Sequence, residues 1–192
     1  RSCTKEEMTR QETFASFDFE LVWEFSDAID YPFPTLKAIK HVEQSENIME
    51  FAGGNGTVYN PFKISTKKHL NNVRKYLDAH YVLLNDIVFE LEDFEEGGAF
   101  YNNGSGWIPI GKDDSSAFVG YIEGNGFSIQ GLVVNLNDAS TMYAGLFGYN
   151  KGTIKNLSVV DANISATSLS QYAYAGGISG YNEGTISNCY NA

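Results

Sequence analysis

From residue 143 onward, apolar and polar positions alternate in short bursts broken by glycine and asparagine. In Thr153-Ile-Lys-Asn-Leu-Ser-Val159, Ile154 and Val159, and Leu157 across a bend, turn to one side. A period of two marks β-strands, and bursts this short mark brief strands joined by tight turns. Tyr81-Val-Leu-Leu84 and Ile87-Val-Phe89 have the same character and read as the first strands. Between residues 66 and 77 the period changes. Leu70, Val73 and Leu77 share one helical face and Thr66 is a good N-cap, which predicts an amphipathic capping helix near 66–79. Near the start, Thr4-Lys-Glu-Glu7 is a capping box for a short helix, and Phe17, Phe19, Val22 and Trp23 supply aromatic packing. Residues 41–50 are polar and read as a linker or a loose strand.

The bursts repeat. Residues 143–157 align with 175–189 at an offset of 32, with eight identities in fifteen positions, including Gly148/Gly180, Asn150/Asn182, Gly152/Gly184 and Asn156/Asn188. A weaker copy, Phe127–Val134, matches Gly152–Val159 at an offset of 25, which would place Ile129, Leu132 and Val134 above Ile154, Leu157 and Val159. Repeats of this length mean stacked units. Each is too short and too glycine-rich for a helical repeat, so the predicted unit is a coil of two or three strands, as in an all-β parallel β-helix. An amphipathic helix at one end would cover the exposed core of the first coil. Tyr149-Asn-x-Gly152 and Tyr181-Asn-x-Gly184 read as turn chemistry, because Asn and Gly tolerate positive φ. The recurring Asn pairs can also stack as side-chain ladders. Cys189 stands where the first copy has Leu157, a core position.

Composition divides the chain. The first hundred residues hold 18 acidic and 10 basic side chains with 5 Gly, whereas residues 101–192 hold 6, 3 and 14. The net charge of −11 therefore belongs mostly to the first half. Charge of this sign argues against non-specific binding to nucleic acid or anionic membrane. Two Cys cannot build a disulfide framework, although a Cys3–Cys189 bridge is open to a secreted protein. No apolar run is long enough to insert across a membrane. The chain begins Arg1-Ser-Cys3 and stops as a repeat begins, so both ends read as cuts through a longer protein.

Catalytic signatures are not found. The sequence has no His-Glu-x-x-His, no Gly-x-Ser-x-Gly and no P-loop. His41, His69 and His80 stand apart from any Cys or His at metal-ligand spacing. The acidic run Glu90, Glu92, Asp93, Glu95 and Glu96 offers carboxylates that can converge on Ca²⁺ or simply swell a surface loop. Asp113-Asp114 are adjacent, so their carboxylates diverge, which does not suit a general acid/base pair. Lys67, Lys68, Arg74 and Lys75 read as a solvated helix face. Lys151 and Glu183 hold equivalent turn positions and can pair between coils. No catalytic, cofactor-binding or metal residue is assigned, and no cofactor is implied.

Gly145-Leu-Phe-Gly148 followed by Gly152-Thr-Ile-x-Asn-Leu157 resembles the GLUG motif, a repeat of bacterial cell-surface and secreted proteins that includes non-catalytic regions of IgA-protease-like proteins. Gly177-Ile-Ser-Gly180 with Gly184–Tyr190 is similar, although Ser179 stands where the first copy has Phe147. Phe51–Thr57, Asn60–Ile64, Trp107–Gly111 and Phe118–Ile129 resemble the segment that precedes such arrays, and residues 1–48 resemble one that closes them. The resemblance implies a closing segment over 1–48, entry and first coils over 49–142 and repeats over 143–192. It also implies an extracellular or cell-surface location.

The expected function is a non-catalytic structural or adhesive module of a bacterial surface protein. Its partners would be host or microbial surface glycans or proteins, or a second copy joined end to end through the open C-terminal coil. The alternative is a carbohydrate-binding or carbohydrate-active β-helix protein using Tyr143, Tyr172, Tyr174 and Tyr190 to stack on sugars.

Overall fold

The computed structural model describes residues 50–192 and, before them, the backbone of two strands, β1 (Trp23–Phe25) and β2 (Pro34–Leu36). The chain divides into two compact units, Arg1–Ile48 and Met49–Ala192. In the first unit, β1 and β2 pair antiparallel with Trp23 opposite Leu36. The helix expected at Thr4–Gln11, the side-chain packing of Phe17, Phe19, Val22 and Trp23, Cys3, His41 and the linker before residue 50 lie outside the described residues.

The second unit is mostly β, with short parallel strands. β3 (Phe62–Ile64), β4 (His80–Leu83), β6 (Tyr121–Glu123), β11 (Thr153–Lys155) and β16 (Thr185–Ser187) lie side by side as one parallel sheet. β5 (Ile87–Val88), β7 (Ser128–Gln130), β12 (Ser158–Val160) and β17 (Tyr190–Asn191) form a second. Three pairs complete the unit among the described residues: β8 (Val133–Asp138) with β13 (Asn163–Ser168), β9 (Met142–Ala144) with β14 (Ala173–Ala175), and β10 (Phe147–Asn150) with β15 (Ser179–Asn182). The chain leaves one sheet for the next and returns beside itself about one repeat later, Thr153 beside Tyr121 and then beside Thr185. This is a parallel β-helix-like arrangement.

Strand registers turn the sequence alternation into columns of buried side chains. Phe62, Tyr81, Ile122, Ile154 and Ile186 occupy matching positions across the first sheet. Ile87, Ile129 and Val159 do so across the second. Tyr81, Ile122, Ile129, Ile154 and Val159 are fully buried. Parallel strands buried on one face in this way gain most of their stability from apolar area removed from water. A second column consists of absent side chains. A Cβ on Gly184 would lie 2.1 Å from the Gly152 carbonyl oxygen, and one on Gly152 2.2 Å from that of Gly120. Those same carbonyls accept from Thr185 N and Thr153 N at 2.8 and 2.9 Å, so glycine is required for the coils to approach this closely.

Several expectations are corrected. Ile129 sits beside Val159, not above Ile154, and Val134 sits beside Ile164. The residue above Ile154 is Ile122. The weak upstream match had slipped from one strand to the next, because each strand carries a similar apolar–polar signature. Asn150 and Asn182 are strand residues, and positive φ falls instead on Asn156 (51°) and Asn188 (52°). The helix is shorter than predicted. α1 (Lys67–Asn72) gives way to a 3₁₀ turn at Val73–Lys75. Thr66 does cap it, its hydroxyl accepting from His69 N at 3.1 Å. Asn72 turns its side chain to the Glu50 carbonyl (2.8 Å), and Arg74 Nε donates to the Asn71 carbonyl (2.9 Å). The Arg74 contact takes a carbonyl that a continued α-helix would use.

The helix contributes the fully buried Leu70 and the 3₁₀ turn the fully buried Val73 to the core, but neither satisfies the outer edge of β3. That edge is closed by backbone bonds with the preceding segment, Ala52 N to Lys63 O at 2.8 Å and Lys63 N to Gly53 O at 2.9 Å. β3 itself precedes the strands expected to be first.

Candidate functional site

In-register pairing of β9 with β14 sets Tyr143 beside Tyr174, with ring centroids 5.3 Å apart and planes 6° from parallel. Pairing of β10 with β15 sets Tyr149 beside Tyr181 at 4.8 Å. The two pairs meet edge to face, Tyr143 against Tyr149 and Tyr174 against Tyr181. Tyr172 lies 6.3 Å from Tyr174 and is 70% exposed. Offset and edge-on contacts of this kind add to the area they bury. Three of the four tyrosines proposed for stacking therefore belong to one cluster. Tyr190, on β17, is exposed and joins none of the ring contacts among the described residues. Tyr149 and Tyr181 were missed from sequence because they read as turn residues.

Charged groups surround the cluster. Tyr149 donates its hydroxyl proton to Glu183 Oε1 at 2.7 Å, and this carboxylate, helped by burial, holds the phenol well above its ordinary range. Lys151 pairs with Asp114, approaches Glu183 at 3.9 Å and lies 5.4 Å from the centre of the Tyr149 ring. The Lys151–Glu183 contact between coils is thus present, with Asp114 as the nearer partner. Lys151 pushes the Asp114 carboxyl below the usual range, and the hydroxyls of Ser115 and Ser116 do the same for Asp113. Asp113 caps the 3₁₀ turn at Asp114–Ser116. Both carboxylates are biased toward the anion, the wrong direction for a general acid.

Beside the cluster lies an open groove of about 640 Å³. One wall is the loop 105–114, contributing Ile108, Lys112, Asp113 and Asp114. The other is formed by Leu136 to Asp138 of β8 and by Met142 and Tyr143 of β9, with Ser140 and Thr141 between them. Trp107, fully buried, fixes the loop: its backbone N–H donates to Val133 O at 2.7 Å and its indole N–H to Leu146 O at 3.0 Å. No sequence pattern signalled this groove, because its walls are joined only by tertiary contacts.

The other candidate residues have structural roles. Glu90 and Asp93 form a reciprocal capping box around a 3₁₀ turn at Leu91–Asp93, and Asp93 pairs with Lys67 at 2.5 Å. Among the described residues no group of three or more His, Cys, Asp or Glu is placed to hold a metal ion. His69 is buried, and His80 stacks on Tyr121 at 5.5 Å. The expected solvated basic face is corrected at Arg74. Its guanidinium lies 4.8 Å from the centre of the Trp107 ring, and burial lowers its pKa to about 10. Asn150 Nδ2 donates to Asn182 Oδ1 at 2.6 Å and Asn188 Nδ2 to Asn156 Oδ1 at 3.2 Å, so both Asn pairs form ladders. Cys189 is half-buried, its thiol directed to Ser187 O at 3.2 Å.

No family model matches the chain. It is 41% identical over 128 residues to a protein of Evansella cellulosilytica provisionally named a Gly-rich membrane protein, covering 65% of this chain and 14% of that one. It is 32% identical over 120 residues to Halomucin of Haloquadratum walsbyi, covering 60% of this chain and 1% of that one. The chain thus spans a small part of either relative. Among solved structures, it matches a provisionally assigned immunoglobulin A1 protease from Bacteroides ovatus. The TM-score is 0.50 at 18% identity, over 74% of this chain and 50% of that one. At that identity the likeness concerns the fold. No helix among the described residues is long and apolar enough to cross a membrane.

Proposed function

We propose that this chain is a non-catalytic structural module of a large microbial surface protein. Its repeats act as GLUG-type coils of a parallel β-helix solenoid that spaces or presents other regions. The observation that carries this reading is the residue-for-residue stacking of one repeat on the next, seen in the Asn150–Asn182 bond between β10 and β15. Side chains common to both repeats are spent on holding coils together. The surface role draws on the relatives, which are long proteins with names of membrane or mucin type.

The test has two arms. Protease shaving of intact cells of the source organism should release peptides from this chain before cytoplasmic markers appear. Incubation of the purified chain with a panel of polysaccharides and proteins should give no new reducing ends or cleaved peptides. Retention inside intact cells would remove the surface role, and turnover of any polymer would remove the non-catalytic one.

A further inference from the structure

The groove beside the tyrosine cluster goes unused by a purely structural reading. Its volume of about 640 Å³ lies within the range of small-molecule sites. Tyr143 lines it from β9, a strand that pairs with β14 alone among the described strands. The ring is braced by Tyr174 at 5.3 Å and by Tyr149, so it is a rigid surface. Asp138 on β8 and Asp113 and Asp114 on the loop add carboxylates, against Lys112 in the lining and Lys151, which already pairs with Asp114. Ser140 and Thr141 add hydroxyls.

We propose that this groove is a saccharide site selective for sugars bearing free amino groups, with Tyr143 as its stacking platform. The apolar face of a pyranose packs against an aromatic ring, and a protonated amine gains both from that ring and from nearby carboxylates. Hydroxyls and carboxylates on the rim match the hydroxyl groups of the ligand. The excess of negative charge repels uronic and sialic acids and leaves N-acetylated sugars without their ionic contact. A groove of this kind needs no catalysis. It gives a spacer module a ligand, and it rests on observations separate from those that carry the structural role.

The test is calorimetric titration of the full 192-residue chain at low salt with a glucosamine tetramer, an N-acetylglucosamine tetramer, a galacturonate tetramer and tetralysine. The glucosamine tetramer should bind about tenfold or more tighter than its N-acetylated form, and the galacturonate tetramer should not bind. Tyr143→Ala should abolish binding and Tyr143→Phe keep it. Asp138 and Lys112 are exposed, so their variants leave the fold intact: Asp138→Asn should weaken binding severalfold and Lys112→Glu strengthen it. The proposal is overturned by no binding, by equal binding of the two glucosamine forms, by indifference to Asp138→Asn and Lys112→Glu, or by tetralysine binding as tightly as the sugar.

Discussion

Asn150 donates its side-chain amide to the Asn182 carbonyl oxygen at 2.6 Å, from the same position one coil earlier. Asn150 is fully buried, and its own Oδ1 accepts from Gly152 N at 3.1 Å. One side chain thus ties a strand end, the following turn and the neighbouring coil. Asn150→Ala removes its bonds to Gly152 N, which keeps the Phe118 carbonyl at 2.8 Å, and to the exposed Asn182, a loss of about 0.5–1.5 kcal/mol each. Urea unfolding should show a fall in that range, whereas Asn182→Ala, at an exposed position, should cost less.

The glycine column makes a steeper prediction. Gly152→Ala drives a methyl group into the Gly120 carbonyl oxygen, 2.2 Å away, and that oxygen is backbone and cannot step aside. Overpacking of this kind costs about 1–3 kcal/mol or more. Gly126→Ala, where nothing lies within 4 Å, meets only backbone strain at φ +81°. Parallel thermal melts should rank Gly152→Ala well below Gly126→Ala.

Trp107 fixes the loop that walls the groove. Trp107→Phe removes the indole N–H and part of the buried ring system, so a small cavity opens and the Leu146 carbonyl keeps only Ile110 N as donor. The expected loss is about 1–3 kcal/mol. Amide exchange should quicken locally over residues 105–114 if the indole is the anchor, and stay uniform if it is not.

Acid should weaken the loop. The Asp113 carboxyl is held below its ordinary value of about 3.8 by Ser115 and Ser116. A carboxyl lowered in the folded state contributes stability that is complete above the unfolded pKa and lost as pH falls through the folded one. The thermal midpoint should therefore hold from neutral pH to about 4 and decline below it. Asp113→Ala should start lower and decline less. Equal acid sensitivity in both proteins would place the titrating group elsewhere.

The parts of this molecule that repeat were legible in its sequence, and the parts that do not were hidden. Ile154, Leu157 and Val159 alternate with polar neighbours, so their burial followed from spacing alone. Ile154 beside Ile186 followed from the offset of 32. The upstream coil misled because its successive strands carry similar apolar–polar signatures, which shifted the match onto the wrong strand. α1 came out short because the Arg74 side chain took the Asn71 carbonyl, a partner that the helical pattern does not encode. The tyrosine cluster was half visible: Tyr143 and Tyr174 stood out as aromatic, while Tyr149 was read as part of a turn. The groove was invisible, since Asp113 and Asp138 meet only after loop 105–114 folds over β8.

The turn between β6 and β7 carries one more lesson. Gly124, Asn125 and Gly126 occupy the place that Asn156 fills alone in the next coil, yet Ser128 falls back into step beside Ser158. An extra pair of residues is absorbed at the corner and forgotten within one strand. Corner length is thereby free to drift while the stacked walls stay aligned. A peptide grafted at residue 125 would give up the Asn125–Leu83 bond between coils while leaving the walls on either side in step.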